Sequence, residues 1–143
     1  MDLLAAARKD LPAGNLELGG LLARIGLVHL QMEKYAESEP LLRECLAIRE
    51  KAQADSWLTF NTYSLLGNAL LGQKKYAEAE PLLIKGYEGM EQRFTSIPVA
   101  ARIRLTESIE RLVKLYEEKN NSEEAAKWQA RLDQRRERND SAQ

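Results

Sequence analysis

The chain has 143 residues, of which 44% are hydrophobic and 30% are charged, and these proportions are typical of one folded domain. Lys and Arg number 21 and Asp and Glu number 22, which leaves a formal net charge of −1. A nearly neutral chain has no overall field that would attract nucleic acid or an anionic membrane. We therefore expect neither as a partner, and we expect any partner to be recognised through local contacts.

Three further features of the sequence bear on its compartment. No apolar run approaches the roughly 20 residues that a membrane-spanning helix needs. The first residues lack the charged start and the apolar stretch of a secretory signal. A single cysteine, Cys45, excludes an internal disulfide framework. Together these features predict a cytoplasmic protein.

The first predicted element is a short helical segment over residues 2–11. Its Leu4-Ala5 pair stands 42 residues before Leu46-Ala47, which lies within the next unit of the chain. We interpret the segment as the end of an earlier helical unit, because a stacked unit without its neighbour would expose apolar surface.

Two nearly identical units follow, and they establish the period of the chain. Residues 34–42 and 75–83 differ at one position only, Ser38 against Ala79, and they lie 41 residues apart. A fixed period of this size is typical of repeat proteins. Within each unit the apolar residues recur at helical spacing, and the connections are short enough to require antiparallel helix pairs. The predicted helices cover about 16–31, 35–52, 56–72 and 76–93.

A third, diverged unit completes the chain. Ser96-Ile97-Pro98 opens a long predicted helix that ends near Lys119, because proline is well tolerated in a first turn. A last helix, capped by Asn121, continues to about Arg136. Aligning this unit to the second gives a spacing of 46 instead of 41, so we expect the fifth helix to be the longest.

These elements predict an all-α fold, an α-α superhelix of antiparallel helix pairs with about six helices and a short N-terminal helical segment. The whole chain, 1–143, is predicted to form a single domain. Its parts are the end of a preceding repeat at 1–14, repeats at 15–54, 55–95 and 96–138, and a tail at 139–143.

The second unit carries a resemblance to the tetratricopeptide repeat, which has a Leu-Gly pair, a later aromatic residue and small residues where paired helices touch. The matching residues are Tyr63, Leu66, Gly67, Leu70, Tyr76, Ala79, Leu83 and Gly86. A unit of 41 residues exceeds the common length of about 34, so the repeats resemble the long variety. The motif Tyr-Ala-Glu-Ala-Glu-Pro-Leu-Leu at residues 76–83 also resembles the repeats of kinesin light chains.

A closer resemblance is to the C-terminal repeat region of bacterial eukaryotic-like serine/threonine kinases. It is carried by residues 45–51, 59–62, 64–67 and 86–90, and it implies a bacterial signalling protein. The sequence has no glycine-rich phosphate loop, no His-Arg-Asp motif and no Asp-Phe-Gly motif. No phosphoryl transfer is therefore assigned to this chain.

The resemblance implies a non-enzymatic scaffold that binds a peptide or protein partner on its concave face, which the first helix of each pair lines. No Lys or Arg occupies the implied groove positions of the first two units, so we expect no clamp for a peptide carboxylate. The alternative is a terminal regulatory array that packs on its own kinase domain or self-associates. The implied partner-binding residues are Leu27, Gln31, Asn61, Ser64, Asn68, Leu71 and Lys114.

Residues capable of catalysis or metal binding are scarce. His29 is the only histidine, and it falls at a packing position without a positioned carboxylate or thiol. Cys45 occupies a small-residue position, and no local feature lowers the pKa of its thiol. We expect no catalytic residue, no metal and no cofactor. Four arginines cluster near the C-terminus, at a helix end where positive charge is favourable. They are not interleaved with the aromatic residues that a nucleic-acid site would need. They are Arg131, Arg135, Arg136 and Arg138.

Overall fold

The structure is a computed structural model that describes residues 2–141, and it confirms the predicted all-α fold. The described residues form seven α-helices and two short 3₁₀ turns, with no strand. Residues 142 and 143, the end of the predicted tail, lie outside the described residues. The helices are α1 Leu3–Asp10, α2 Leu16–Gln31, α3 Tyr35–Gln53, α4 Trp57–Gly72, α5 Tyr76–Gln92, α6 Ile103–Glu118 and α7 Ser122–Ser141.

Short polar side chains start several helices. The Asn15 side chain accepts a hydrogen bond of 2.7 Å from the amide of Glu17 at the start of α2. Ser56 caps α4 in the same way through the amide of Leu58, at 3.2 Å. These bonds satisfy first-turn amides that have no partner inside the helix, which is why the predicted starts of these helices are accurate to one residue.

The turns inside the three helix pairs share one conformation. Glu33, Lys74 and Asn120 have φ angles of 58°, 62° and 58°, a left-handed conformation that ends a helix. In each turn the amide of the next residue donates to a carbonyl five residues earlier, at 2.8 to 2.9 Å. The shared turn makes each pair an antiparallel hairpin, with α2 against α3, α4 against α5, and α6 against α7.

Small residues allow the paired helices to approach closely. A Cβ atom added at Gly26 would lie 2.8 Å from Leu42 Cδ2, and one added at Gly67 would lie 2.7 Å from Leu83 Cδ2. Both leucines are fully buried. The glycine and the leucine of each pair therefore form a matched contact, and the contact recurs at the period of the sequence.

The first helices of the pairs form one layer. Helix α4 contacts α2 on one side and α6 on the other, and the second helices α3 and α5 connect successive pairs. Because α4 is enclosed on several sides, eleven of its sixteen residues are buried. Helices α2, α4 and α6 thus form one layer of the array, and the resemblance places the binding groove on this layer.

The prediction that the fifth helix is the longest is wrong. Helix α6 has 16 residues, as α2 and α4 do. The additional residues form the 3₁₀ turns Phe94–Ser96 and Val99–Ala101 instead. Pro98 disfavours the helical conformation in the residue before it, and Ile97 is extended, with φ −80° and ψ 122°. Ile97 is also 1% exposed, so it anchors this connection in the core.

Candidate functional site

A cleft of about 580 Å³ opens between α2, α4 and the start of α6; we call it the groove. It runs along the layer of α2, α4 and α6, and Arg49, near the end of α3, also lines it. Its lining contains both apolar and charged side chains. The residues that line it are Glu17, Gly20, Ala23, Arg24, Leu27, Arg49, Trp57, Leu58, Asn61, Leu65 and Arg104.

Two polar side chains form the floor of the groove. Arg49 is only 6% exposed, and its Nη1 donates to Thr62 Oγ1 at 2.8 Å and to the carbonyl of Leu58 at 3.4 Å. Asn61 is 8% exposed, and its Oδ1 has no hydrogen-bond partner within the described part of the chain. A buried amide oxygen without a partner is unfavourable, so Asn61 retains hydrogen-bonding capacity that the fold does not use.

Arginines make the groove basic. Arg24 is exposed, and it has no ion pair with the described side chains. Arg104 pairs with Glu107 at 2.7 Å, and Glu17 is the one acidic residue in the lining. The implied groove positions of the first two units hold no Lys or Arg, and the expectation of no carboxylate clamp rests on those positions alone. The lining nevertheless includes Arg24, next to one of these positions, and Arg49, from the second helix of its pair.

Only some of the predicted binding residues meet in the groove. Leu27 and Asn61 line it together. Gln31, Asn68 and Lys114 lie outside its lining. Gln31 and Lys114 are exposed and Asn68 is partly buried, so these three remain predictions for a partner that extends beyond the groove.

Two other predicted residues lie in the interior. Leu71 and Ser64 are both 0% exposed. Ser64 Oγ accepts a hydrogen bond of 2.9 Å from Arg111 Nη1. Arg111 lies 3.9 Å from Glu107, and its burial lowers the pKa of its guanidinium group. Ser64 thus holds a buried arginine behind the groove wall, a contact that sequence reasoning missed because the two residues are 47 positions apart.

The one histidine and the one cysteine both make contacts within the fold. His29 Nδ1 is 2.8 Å from the carbonyl of Ile25, one turn earlier in the same helix. Cys45 is fully buried, and this burial raises the pKa of its thiol, which suppresses the reactive thiolate. In the described part of the chain no three His, Cys, Asp or Glu residues cluster as metal ligands.

None of the described helices is both long and apolar enough to cross a bilayer.

Comparison with protein families gave a match between residues 18–92 and a family described as Tetratricopeptide repeat. The matched segment is just over half of the chain; it covers α2 from its third residue onward and all of α3, α4 and α5. Comparison with curated proteins gave no match.

Proposed function

Because this chain belongs to the tetratricopeptide repeat family, whose repeats generally mediate protein–protein interactions, we propose that it is a non-enzymatic scaffold that holds a peptide segment of a partner in the groove. The observation that carries the proposal is the convergence of Arg24, Arg49 and Asn61 on one apolar-walled cleft. These residues come from α2, α3 and α4, so the cleft depends on the stacking of two repeat units.

The groove has the chemical features that an extended peptide requires. Leu27, Trp57 and Leu58 supply partly buried apolar surface for side chains. Asn61 supplies an amide that can bond to a peptide backbone group. Since an extended chain presents side chains and backbone groups in alternation, both kinds of contact are available to it at once.

The arginines favour a segment that contains a carboxylate. Three of the lining residues are arginines and one is a glutamate, so the groove carries an excess of positive charge. Arg49 is already held in place by two hydrogen bonds, and a donor that is fixed in advance loses little entropy on binding. A charge-assisted bond between arginine and carboxylate is stronger than a neutral one.

The test is a comparison of peptide affinities. Peptides of 12 residues are selected on the chain from a random display library, and their affinities are measured by fluorescence anisotropy. We expect the triple variant Arg24→Ala, Leu27→Ala and Asn61→Ala to weaken binding by at least about tenfold, since it removes charged, apolar and amide contacts together. The matched control, Glu37→Ala with Glu88→Ala, changes exposed residues of α3 and α5 that lie outside the lining and leaves affinity within about twofold. Equal effects of the two variants would reject the groove as the binding site.

Self-association is a second candidate function, and exposed apolar residues favour it. Val28 in α2 is 50% exposed, and Met32, the residue that caps the end of α2, is 56% exposed. Leu3 in α1 is 65% exposed. Unpaired apolar surface at one end of a repeat array is a site for another unit. Sedimentation velocity over a hundredfold concentration range tests this function, and a constant monomeric coefficient would dismiss it.

We further propose that the chain is a bacterial, cytoplasmic signalling array of the long, kinesin-light-chain-like variety. The support for the long variety is that the left-handed turn residues Glu33 and Lys74 are 41 positions apart, compared with about 34 for common repeats. The relation to bacterial kinases rests on the sequence motifs alone and stays a prediction.

A further inference from the structure

A second cleft lies at the C-terminal end of the array, and its lining shares no residue with that of the groove. It has a volume of about 620 Å³ and lies between the α5–α6 connection and α7. We call it the C-terminal cleft. The lining residues that matter for its chemistry are Phe94, Val99, Arg102, Ile103, Arg135 and Arg138.

The apolar part of this cleft is unusually exposed. Val99 is 76% exposed and Ile103 is 50% exposed. Val99 belongs to a 3₁₀ turn in the additional stretch between α5 and α6, whereas α3 and α4 are joined by Ala54–Ser56 alone. The exposed side chains are therefore not a consequence of the repeat pattern. Apolar surface that the fold leaves in water is available for burial against a partner.

The polar part of the cleft is formed by arginines, two of which stack on the Phe94 ring. The Arg102 guanidinium lies 4.4 Å from the centre of the Phe94 ring, and that of Arg135 lies 5.1 Å from it. Arg135 also donates to Glu91 Oε2. Arg138 lies one turn further along α7 and lines the same cleft. Glu91 is the one acidic residue in the lining, so the cleft has an excess of positive charge.

We propose that the C-terminal cleft is a second docking surface, which accepts a partner peptide that combines apolar side chains with carboxylates. Val99 and Ile103 receive the apolar side chains, and Arg102 and Arg138 receive the carboxylates. Charge complementarity identifies the occupant. Arg138 is exposed and has no ion pair with the described side chains. Arg102 is stacked on Phe94 and uses its Nε for the Ile97 carbonyl, so its terminal nitrogens can bond to a carboxylate.

A peptide fits this surface better than nucleic acid or a lipid bilayer does. The Phe94 ring already carries two guanidinium groups, so it does not offer an open face on which a base could stack. The net charge of the chain is −1, which gives no long-range attraction to a polyanion or to an anionic membrane. A cleft of about 620 Å³ accommodates a few side chains.

The test is a titration of the 15N-labelled chain, followed by amide chemical shifts. The probe is a blocked hexapeptide of alternating glutamate and leucine, and its control has glutamine in place of glutamate. We expect the glutamate peptide to shift the amides of residues 94–103 and 131–139, and the glutamine peptide to bind at least about tenfold more weakly. Absence of shifts at these residues, or equal binding of both peptides, overturns the proposal.

Matched variants locate the binding. The double variant Val99→Ser with Arg138→Glu changes two exposed residues of the cleft, and we expect it to reduce affinity at least about tenfold. Arg136→Glu is the control, because Arg136 is on the same helix but faces Glu110 at 3.6 Å. Shifts confined to the groove leave the proposed function intact and overturn the second site.

Two further probes address the other classes of partner. A single-stranded oligonucleotide and phosphatidylserine vesicles are titrated in parallel. Binding of either one that the double variant abolishes, without binding of the glutamate peptide, overturns the peptide assignment. If the oligonucleotide and the vesicles bind weakly or not at all while the glutamate peptide binds, the result supports the peptide assignment.

Discussion

The first two helix pairs follow the repeat of the sequence, whereas the connection to the third pair does not. In the periodic part, residues 41 positions apart make equivalent contacts: Glu39 reaches Lys75 at 3.3 Å, and Glu80 reaches Lys119 in the following pair. In the aperiodic connection, residues 94–101 form two 3₁₀ turns that have no counterpart between α3 and α4.

The difference separates what the repeat determines from what it leaves open. Repeated residues determine helix bounds, turns and the contacts between neighbouring pairs, because each unit buries its apolar face against the next. The additional stretch keeps one residue, Ile97, in the core and places Val99 in solvent. We therefore expect mutations of buried repeated residues to change stability, and mutations of exposed residues in the connection to change binding at the C-terminal cleft.

The largest expected effect concerns the two equivalent core leucines. Leu42→Ala and Leu83→Ala each remove a fully buried side chain that packs on a glycine of the paired helix. We expect each substitution to lower the free energy of unfolding by about 3 kcal/mol, measured by urea denaturation. Because the two sites are equivalent, the two losses should agree within about 1 kcal/mol; a neutral result at either site would contradict the equivalence.

The next effect concerns the glycines opposite these leucines. An added Cβ at Gly67 would lie 3.2 Å from the backbone nitrogen of Leu83, whereas at Gly26 it meets only side-chain atoms of Leu42. Side chains adjust more readily than backbone, so we expect Gly67→Ala to cost about 2 kcal/mol and Gly26→Ala about 1 kcal/mol. The control, Gly20→Ala, has no neighbour within 4 Å and should stabilise the helix by about 0.5–1 kcal/mol. Thermal denaturation of the three variants would refute this order if Gly67→Ala were harmless.

A smaller effect concerns Glu39, which connects α3 to the α4–α5 turn. Its carboxylate accepts hydrogen bonds of 2.8 Å from Arg43 and Gln73, and the bond from Arg43 is the main cause that lowers the pKa of Glu39 below 4.5. The stabilisation is therefore present above pH 4.5 and is lost as the pH falls through the lowered pKa. We expect Glu39→Gln to cost about 0.5–1 kcal/mol at pH 7.

The pH dependence of the same variant provides its own check. Urea denaturation at a series of pH values should show the difference between Glu39→Gln and the unmodified chain closing below pH 4.5, since protonation of Glu39 removes the charge that the variant already lacks. Glu37→Gln changes an exposed neighbour and serves as the control, with a difference below about 0.5 kcal/mol at every pH. A constant difference for Glu39→Gln across this range would mean that its charge is not what stabilises the turn.

The smallest expected effect concerns Val99, in the aperiodic connection. Since this side chain is 76% exposed, Val99→Ser should change the free energy of unfolding by less than about 0.5 kcal/mol. The melting temperature of Val99→Ser should stay close to that of the unmodified chain, whereas that of Leu83→Ala should fall clearly; this comparison gives the sharpest contrast between the two regions. A large loss of stability would show that Val99 belongs to the fold instead of the surface.

The periodic part of the fold could be predicted from the sequence because every signal in it occurs twice. The predicted helix 16–31 matches α2 at both ends, and the helix predicted at 35–52 extends one residue further. The error in the third unit has a specific cause. A spacing of 46 shows that residues were added, but it does not show whether they extend a helix. The sequence also places Pro98 in the first turn of the fifth helix, whereas Pro98 directly precedes the second 3₁₀ turn.

The candidate site was predicted less completely, because its chemistry depends on contacts between helices. Leu27 and Asn61 were found through the resemblance, which assigns the inner face to the first helices. Arg49 was missed because it reaches the groove from the second helix of its pair. The burial of Ser64 depends on Arg111, and no local pattern in either helix indicates that contact.

The central claim is that the groove between α2, α4 and α6 holds the partner. The most direct measurement is a crystal structure of the chain with the tightest peptide from the display selection. The account predicts an extended peptide in contact with Leu27 and Asn61, with a carboxylate on Arg24 or Arg49. A peptide seated on the outer helices α3 and α5, with the groove left open, would contradict it.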